Sequence, residues 1–285
     1  MEKILKAKPL IKHKYQELKL EFEKLPKPLV MKVIRLGQDP ASAFYVQNIV
    51  SQGNKLGADV ELVTLDETTT QPELVRLIEQ FNQDDFVDGI MLQKPLPKHI
   101  DESKINYLIK PTKDVDGFHP VNLGKLLLGE DGLFPCTATA CLTMMDYYDI
   151  DPCGKHIVIL GRSNVVGKPL ANMLLLKRKA GNATVTVCHS KTTNLKEVTK
   201  CADILIAAIG KPNFVTDEYI SDNCIVLDVG INEVIDSEGK IKYVGDVDYN
   251  SVFGKVIAIT PVPNGIGSVT TYELFKNLLK AKIIS

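Results

Sequence analysis

His156–Leu170, HIVILGRSNVVGKPL, runs an apolar stretch, Ile157–Leu160, into Gly161, then a polar loop, then a helical apolar pattern opened by Pro169. A buried strand, a tight turn and a helix start point backbone N–H groups at a phosphate. Gly161 and Gly167 stand six apart, with Arg162, Ser163 and Asn164 between them, so the spacing is not the dinucleotide fingerprint. On these residues alone, a nucleotide loop and an ordinary strand–helix turn are both open. The next strand-like run ends Cys188-His189-Ser190-Lys191-Thr192, without the carboxylate that an NAD-binding domain places at the adenosine ribose. Arg162 and the Ser190 hydroxyl suit a 2′-phosphate, and so NADP, although a solvated polar loop has the same composition.

Other segments offer groups for a planar substrate. Asp114-Val115-Asp116-Gly117 sets two carboxylates on one side of an extended chain. One of them can accept paired N–H donors from a heterocycle, while an Asx-rich turn before glycine explains the same residues. Gln93 follows the strand-like Phe86–Leu92 and can both donate and accept. Thr260–Gly267, TPVPNGIG, holds Pro263 and Gly265 in a rigid loop whose backbone can approach a ligand. Tyr45 either presents its phenol to the same place or packs in a core.

The elements that must position these groups alternate between strand and helix. Pro28–Leu36, Asp59–Leu65 and Phe86–Leu92 read as strands, with a helix over Ala41–Leu56 and another opened by a Thr70/Glu73 capping box. Ile157–Leu160, Thr184–Cys188, Ile204–Ile209, Ile225–Val229 and Val256–Ile259 repeat the logic, and Tyr272–Ile284 is a final amphipathic helix. The expected fold class is α/β: an N-terminal α/β catalytic domain over 1–119 and a C-terminal Rossmann-like domain over 120–285, with a cleft between them. The final helix is expected to pack back on the first domain.

Composition narrows the partners. The chain has 285 residues, with 34 basic and 35 acidic side chains, which disfavours nucleic acid and anionic membranes. No apolar stretch approaches the roughly 20 residues of a membrane helix. Six cysteines lack metal-ligand spacing and read as reduced thiols. The chain reads as cytoplasmic.

The segments GQDPASAFY (37–45), VDGIMLQKPLP (87–97), KDVDGFHP (113–120), PCT (135–137), GRSNVVGKP (161–169), CHSKT (188–192), DVGIN (228–232), GDV (245–247) and TPVPNGIG (260–267) together resemble the methylenetetrahydrofolate dehydrogenase/cyclohydrolase family over essentially the whole chain. The resemblance implies NADP-linked oxidation of 5,10-methylenetetrahydrofolate to the methenyl cation. It implies Tyr45, Gln93 and Asp116 at a tetrahydrofolate derivative, with Pro263 and Gly265 lining the same pocket. It implies Gly161, Arg162, Ser163, Ser190 and Ile231 at NADP, and a homodimer joined through the cofactor domain.

The family's second activity, hydrolysis of the methenyl carbon, uses a lysine one helical turn after the tyrosine, where this chain has Ile49. Lys55, six residues on, lies roughly 240° around a helix and about 9 Å along it, and so does not substitute. Ala138, Ala140, Asn264, Ser268 and Lys94 are further departures from the family pattern. The expectation is a dehydrogenase whose cyclohydrolase activity is lost or severely weakened. A fully bifunctional enzyme with a substitute group such as Lys94, a non-catalytic folate-binding protein and a shikimate-type dehydrogenase are the alternatives.

Overall fold

A computed structural model describes residues 3–235 and 239–284, apart from the side chains of Pro40, Ala41, Ser42 and Phe44. The elements are α1 (Ala7–Glu23), β1 (Val30–Leu36), α2 (Pro40–Leu56), β2 (Asp59–Leu65), α3 (Gln71–Gln83), β3 (Gly89–Leu92), α4 (Glu102–Ile105), α5 (Pro120–Leu128) and α6 (Cys136–Tyr147). They continue through β4 (His156–Leu160), α7 (Gly167–Leu175), β5 (Thr184–Cys188), α8 (Leu195–Lys200), β6 (Ile204–Ala207), β7 (Ile225–Asp228), β8 (Asn232–Ile235), β9 (Ile241–Val244), α9 (Tyr249–Val252), β10 (Ala258–Ile259) and α10 (Ile266–Ile284).

The chain divides into two compact units, one of His13–Phe134 with Leu274–Ser285, the other of Met1–Lys12 with Pro135–Glu273. The mid-chain boundary thus falls at Phe134–Pro135 rather than at residue 120. The reason is local: α5 belongs to the first unit, where Asn122 on it donates to the Pro111 carbonyl and to the Asp114 carboxylate.

In the first unit, three parallel strands run in the order β2-β1-β3. Lys113 and Asp114 extend this sheet, because Ile90 donates to the Lys113 carbonyl and Ile90 bridges Asp114 in parallel. The amphipathic face of α3 (Leu74, Ile78, Phe81) packs on Ile34, Ile90 and Leu92. Burying three such side chains contributes about 1.5–3 kcal/mol each. The expected cap of α3 is present in part: the Glu73 carboxylate accepts from both the N–H and the hydroxyl of Thr70. The last turns of α10 also lie here. A Cβ on Gly89 would meet Leu278, and one on Gly53 would meet Phe275.

In the second unit, five parallel strands run β10-β7-β6-β4-β5. The chain leaves β4 for β5 on one side and returns to β6 on the other, so strand order reverses around β4. Ligands of open α/β sheets sit at the carboxyl ends of strands at such a point. The core is Val158, Leu160, Leu205, Ala207 and Val226, all essentially inaccessible. Ile4 bridges Ile259 in parallel at the β10 edge.

Strand expectations at 59–65 and 184–188 match β2 and β5, while β3, β6, β7 and β10 are shorter than read. Helices α1 and α6 and the antiparallel β8–β9 hairpin are additional, and α10 begins at Ile266 rather than Tyr272. None of the six cysteines forms a disulfide. Among the described residues no helix is long and apolar enough to cross a membrane, and no cluster of metal-ligating side chains occurs.

Candidate active site

The loop after β4 is built on close approach. Gly161 has φ +118, and a Cβ there would lie 2.1 Å from the Ala208 carbonyl oxygen. Its N–H donates to Cys188, while Ala208 donates to Leu160, so the loops after β4, β5 and β6 are tied together. Gly167 opens α7, and a Cβ on it would sit 2.0 Å from the Gly161 carbonyl oxygen. The five-residue spacer between the two glycines therefore still presses a helix start onto the strand-end turn. Ser163 Oγ accepts from Val166 N–H at 3.0 Å and holds the intervening loop.

These loops enclose a cavity of about 310 Å³ whose lining includes Gly161, Arg162, Ser163, Ser190 and Lys211. Four of the five residues expected at the cofactor therefore meet in one place. Ile231 lines a different spot, 59% exposed and against Gly267 at the start of α10. Lys211 was not singled out in the sequence; a strand running into Gly210-Lys211 was its only signal. None of the described residues lining the cavity is acidic. An anion fits this lining, and the glycine contacts leave no room for side chains where a phosphate must approach backbone.

Two buried carboxylates hold the loops beneath. Asp246 is fully buried and accepts from the N–H groups of Ile209, Gly210 and Lys211 at 2.6, 3.1 and 2.9 Å, and from Asn232 Nδ2 at 2.9 Å. Asp228 accepts from Gly230, Asp246 and Val247 N–H groups at 3.0–3.1 Å. Burial pushes the Asp228 carboxyl up to about 7, against the pull of those N–H groups. Each acid is met by a glycine: a Cβ on Gly245 would strike Asp228, and one on Gly230 would strike Asp246.

In the first unit, β3 delivers Gln93 and the added strand delivers Asp116. Gln93 Nε2 donates to the Lys94 carbonyl at 2.6 Å, and its buried Oε1 has no protein partner. A buried acceptor left open costs free energy unless a ligand or water meets it. Asp114 is the turn-forming member of the pair, accepting from Gly117 and His119 N–H groups and from Asn122. Burial, followed by the Asp114 charge, pushes half-buried Asp116 up to about 7, with Lys94 opposing. Lys113 anchors this segment: its ammonium meets the carbonyls of Phe81, Asn82 and Asp84 at the end of α3. Desolvation lowers its pKa.

Tyr45 lies half-buried on α2, and Ile49, one turn on, is fully buried. Lys55 is exposed on another face of α2. Lys94 pairs with Glu102 at 2.8 Å and stands 4.4 Å from the Phe118 ring centroid. Pro263 and Gly265 sit in the second unit, on the loop after β10. Gly265 is buried, and a Cβ on it would lie 2.2 Å from the Pro261 carbonyl oxygen, whereas Pro263 is exposed. Asn264 adopts φ +75, a left-handed conformation that asparagine tolerates better than most residues.

A five-stranded parallel sheet with a glycine-lined, acid-free cavity at its reversal point defines a nucleotide-binding dehydrogenase unit, here joined to a smaller α/β unit. Two family models match successive parts of the chain: the tetrahydrofolate dehydrogenase/cyclohydrolase catalytic domain matches residues 5–116, and the NAD(P)-binding domain matches residues 135–284. The chain is 48% identical over 282 residues to the bifunctional protein FolD of Acetivibrio thermocellus, covering 98% of this chain and 96% of that one. The crystal structure of the bifunctional FolD of Campylobacter jejuni superposes with a TM-score of 0.92 at 41% identity, covering 99% of each chain. The Trypanosoma brucei enzyme, solved with NADP cofactor and an inhibitor, gives 0.90 at 31% identity and covers 100% of both. The chain belongs to the tetrahydrofolate dehydrogenase/cyclohydrolase family.

Proposed function

We propose that this chain is an NADP-dependent 5,10-methylenetetrahydrofolate dehydrogenase of one-carbon metabolism. The observation that carries the cofactor choice is the cavity after β4: it gathers Arg162, Ser163 and Ser190 and contains no carboxylate to receive ribose hydroxyls. Arg162 and Ser190 hold the 2′-phosphate, Gly161 and Ser163 the pyrophosphate side, and Ile231 the nicotinamide end. NADP, when bound, supplies the two-electron acceptor for the methylene carbon.

The protein's part is orientation. Asp116 accepts N–H donors on the pterin edge, Gln93 uses its open Oε1, and Tyr45 adds a further substrate contact. Oxidation removes a hydride from the methylene group and leaves the methenyl cation, so no side chain must carry the electrons. A spectrophotometric assay with methylenetetrahydrofolate and either cofactor tests this. Reduction of NADP in preference to NAD is expected, and no reduction of either would overturn the reading. Arg162→Ala should weaken NADP on the order of 10- to 100-fold and NAD far less.

We further infer that the family's cyclohydrolase activity is lost or severely weakened. Ile49 stands one turn beyond Tyr45, where the family's lysine belongs, and isoleucine neither donates nor accepts a proton. Lys94 is committed to Glu102, which supports the view that it does not stand in. Purified protein given methenyltetrahydrofolate should hydrolyse it no faster than buffer does, and enzymatic rates would refute the inference. A homodimer joined through the NAD(P)-binding unit also belongs to this reading. Exposed Ile235, Ile241 and Tyr243 on the β8–β9 hairpin support it, and light scattering in solution tests it.

A further inference from the structure

The cavity after β4 holds a second cation that the NADP reading does not use. Lys211 follows β6, on the loop that faces the β4 turn, and lines the same cavity as Arg162 and Ser190. Three observations single it out. Its main chain is fixed, because its N–H and those of Ile209 and Gly210 all donate to fully buried Asp246. Its ammonium stands 5.2 Å from the Phe214 ring centroid, and Phe214 also lines the cavity. Among the described residues neither Lys211 nor Arg162 forms an ion pair, and none of the described lining residues is acidic.

Two uncompensated cations around one cavity repel each other unless an anion lies between them. Both side chains are exposed, and an anion between them turns that repulsion into two attractions. We propose that Lys211 is a specificity-determining residue, forming with Arg162 a two-cation seat for the phosphate on the adenosine ribose. This rests on the NADP reading above. The arginine offers a planar fork and the lysine a point charge, so they address different oxygens of one phosphate group. Asp246 is then a positioning residue: it sets the loop that aims Lys211.

Isothermal titration of the full chain tests this directly with 2′,5′-ADP and 5′-AMP, which differ only in the 2′-phosphate, and with NADP and NAD. Lys211→Met is expected to weaken 2′,5′-ADP and NADP about tenfold, with 5′-AMP and NAD changed less than about twofold. Lys211→Arg keeps the charge and should retain most of the affinity for both phosphorylated ligands. Equal losses for the phosphorylated and unphosphorylated ligands in Lys211→Met, or no loss at all, would overturn the proposal. Arg162→Ala, run alongside, separates the two claims. If it removes the discrimination while Lys211→Met does not, NADP binding stands and the lysine's role falls. If wild-type protein itself fails to prefer 2′,5′-ADP over 5′-AMP, the NADP reading falls with it.

Discussion

Lys94 and Glu102 form an ion pair at 2.8 Å that holds the lysine ammonium beside the Phe118 ring, next but one to Asp116. Lys94 thus tunes the charge around the Asp116 carboxylate. Burial and Asp114 hold Asp116 near 7, and Lys94 pulls the other way.

Asp116 must be ionised to accept two N–H donors. Folate affinity should therefore fall as pH drops through about 7. Lys94→Leu removes the opposing charge, so the acid limb of kcat/KM against pH should move to higher pH. An unmoved limb would show that another group governs it. Asp116→Asn should flatten that limb while costing substrate affinity.

Ile49→Lys should raise methenyltetrahydrofolate hydrolysis above the buffer rate. Ile49 is fully buried, so the variant should also be less stable by about 1–3 kcal/mol, as chemical denaturation reads it. Ile49→Met, similar in volume, should cost less than about 1.5 kcal/mol and produce no hydrolysis.

Gly161→Ala forces a methyl group toward the Ala208 carbonyl at a left-handed φ. Loss of measurable NADP binding is the expected result, together with a lowered Tm. Gly254→Ala, where nothing lies within 4 Å of the added carbon, should leave both unchanged.

Asp228 titrates near 7 in the folded chain because burial favours its neutral form. A carboxyl raised above its unfolded value stabilises the fold fully below that value, about pH 4, and the contribution is lost as pH climbs through 7. Tm should therefore decline between about pH 5 and 8, and Asp228→Asn should shrink that slope. Asp246→Ala, which strips the acceptor from three N–H groups, should cost about 2–3 kcal/mol.

The parallel strands were legible because β3, β4, β6 and β7 are short apolar runs ended by polar or glycine residues, the pattern of strands buried on both faces. Their ends were read too far: Phe86 and Val87 are apolar but serve a turn, with Phe86 N–H donating to Asp84. Helix α6 was missed since CTATACLTMMDY is buried on most sides and shows little amphipathic period. The hairpin β8–β9 carries its isoleucines on the outside, the reverse of a core signal. At the site, Arg162 and Ser190 were readable from residue type and position. Lys211 and Asp246 were not, because their roles come from which loops meet at the end of a sheet. The GDV and DVG segments were noticed only as family marks; the structure gives them work, as two acids and two glycines that fit into one another.

The chain's two ends each belong to the unit that the middle of the chain would not assign them to. Residues up to Lys12, with Ile4 bridged to Ile259, count with the nucleotide-binding half, and Leu274 onward counts with the other. A gene cut at codon 135 would therefore yield two products, each missing a piece of itself and carrying a piece of its neighbour. Shuffling either half as a cassette among other proteins would require moving its distant terminal segment as well. That makes the pairing of these two halves hard for recombination to undo.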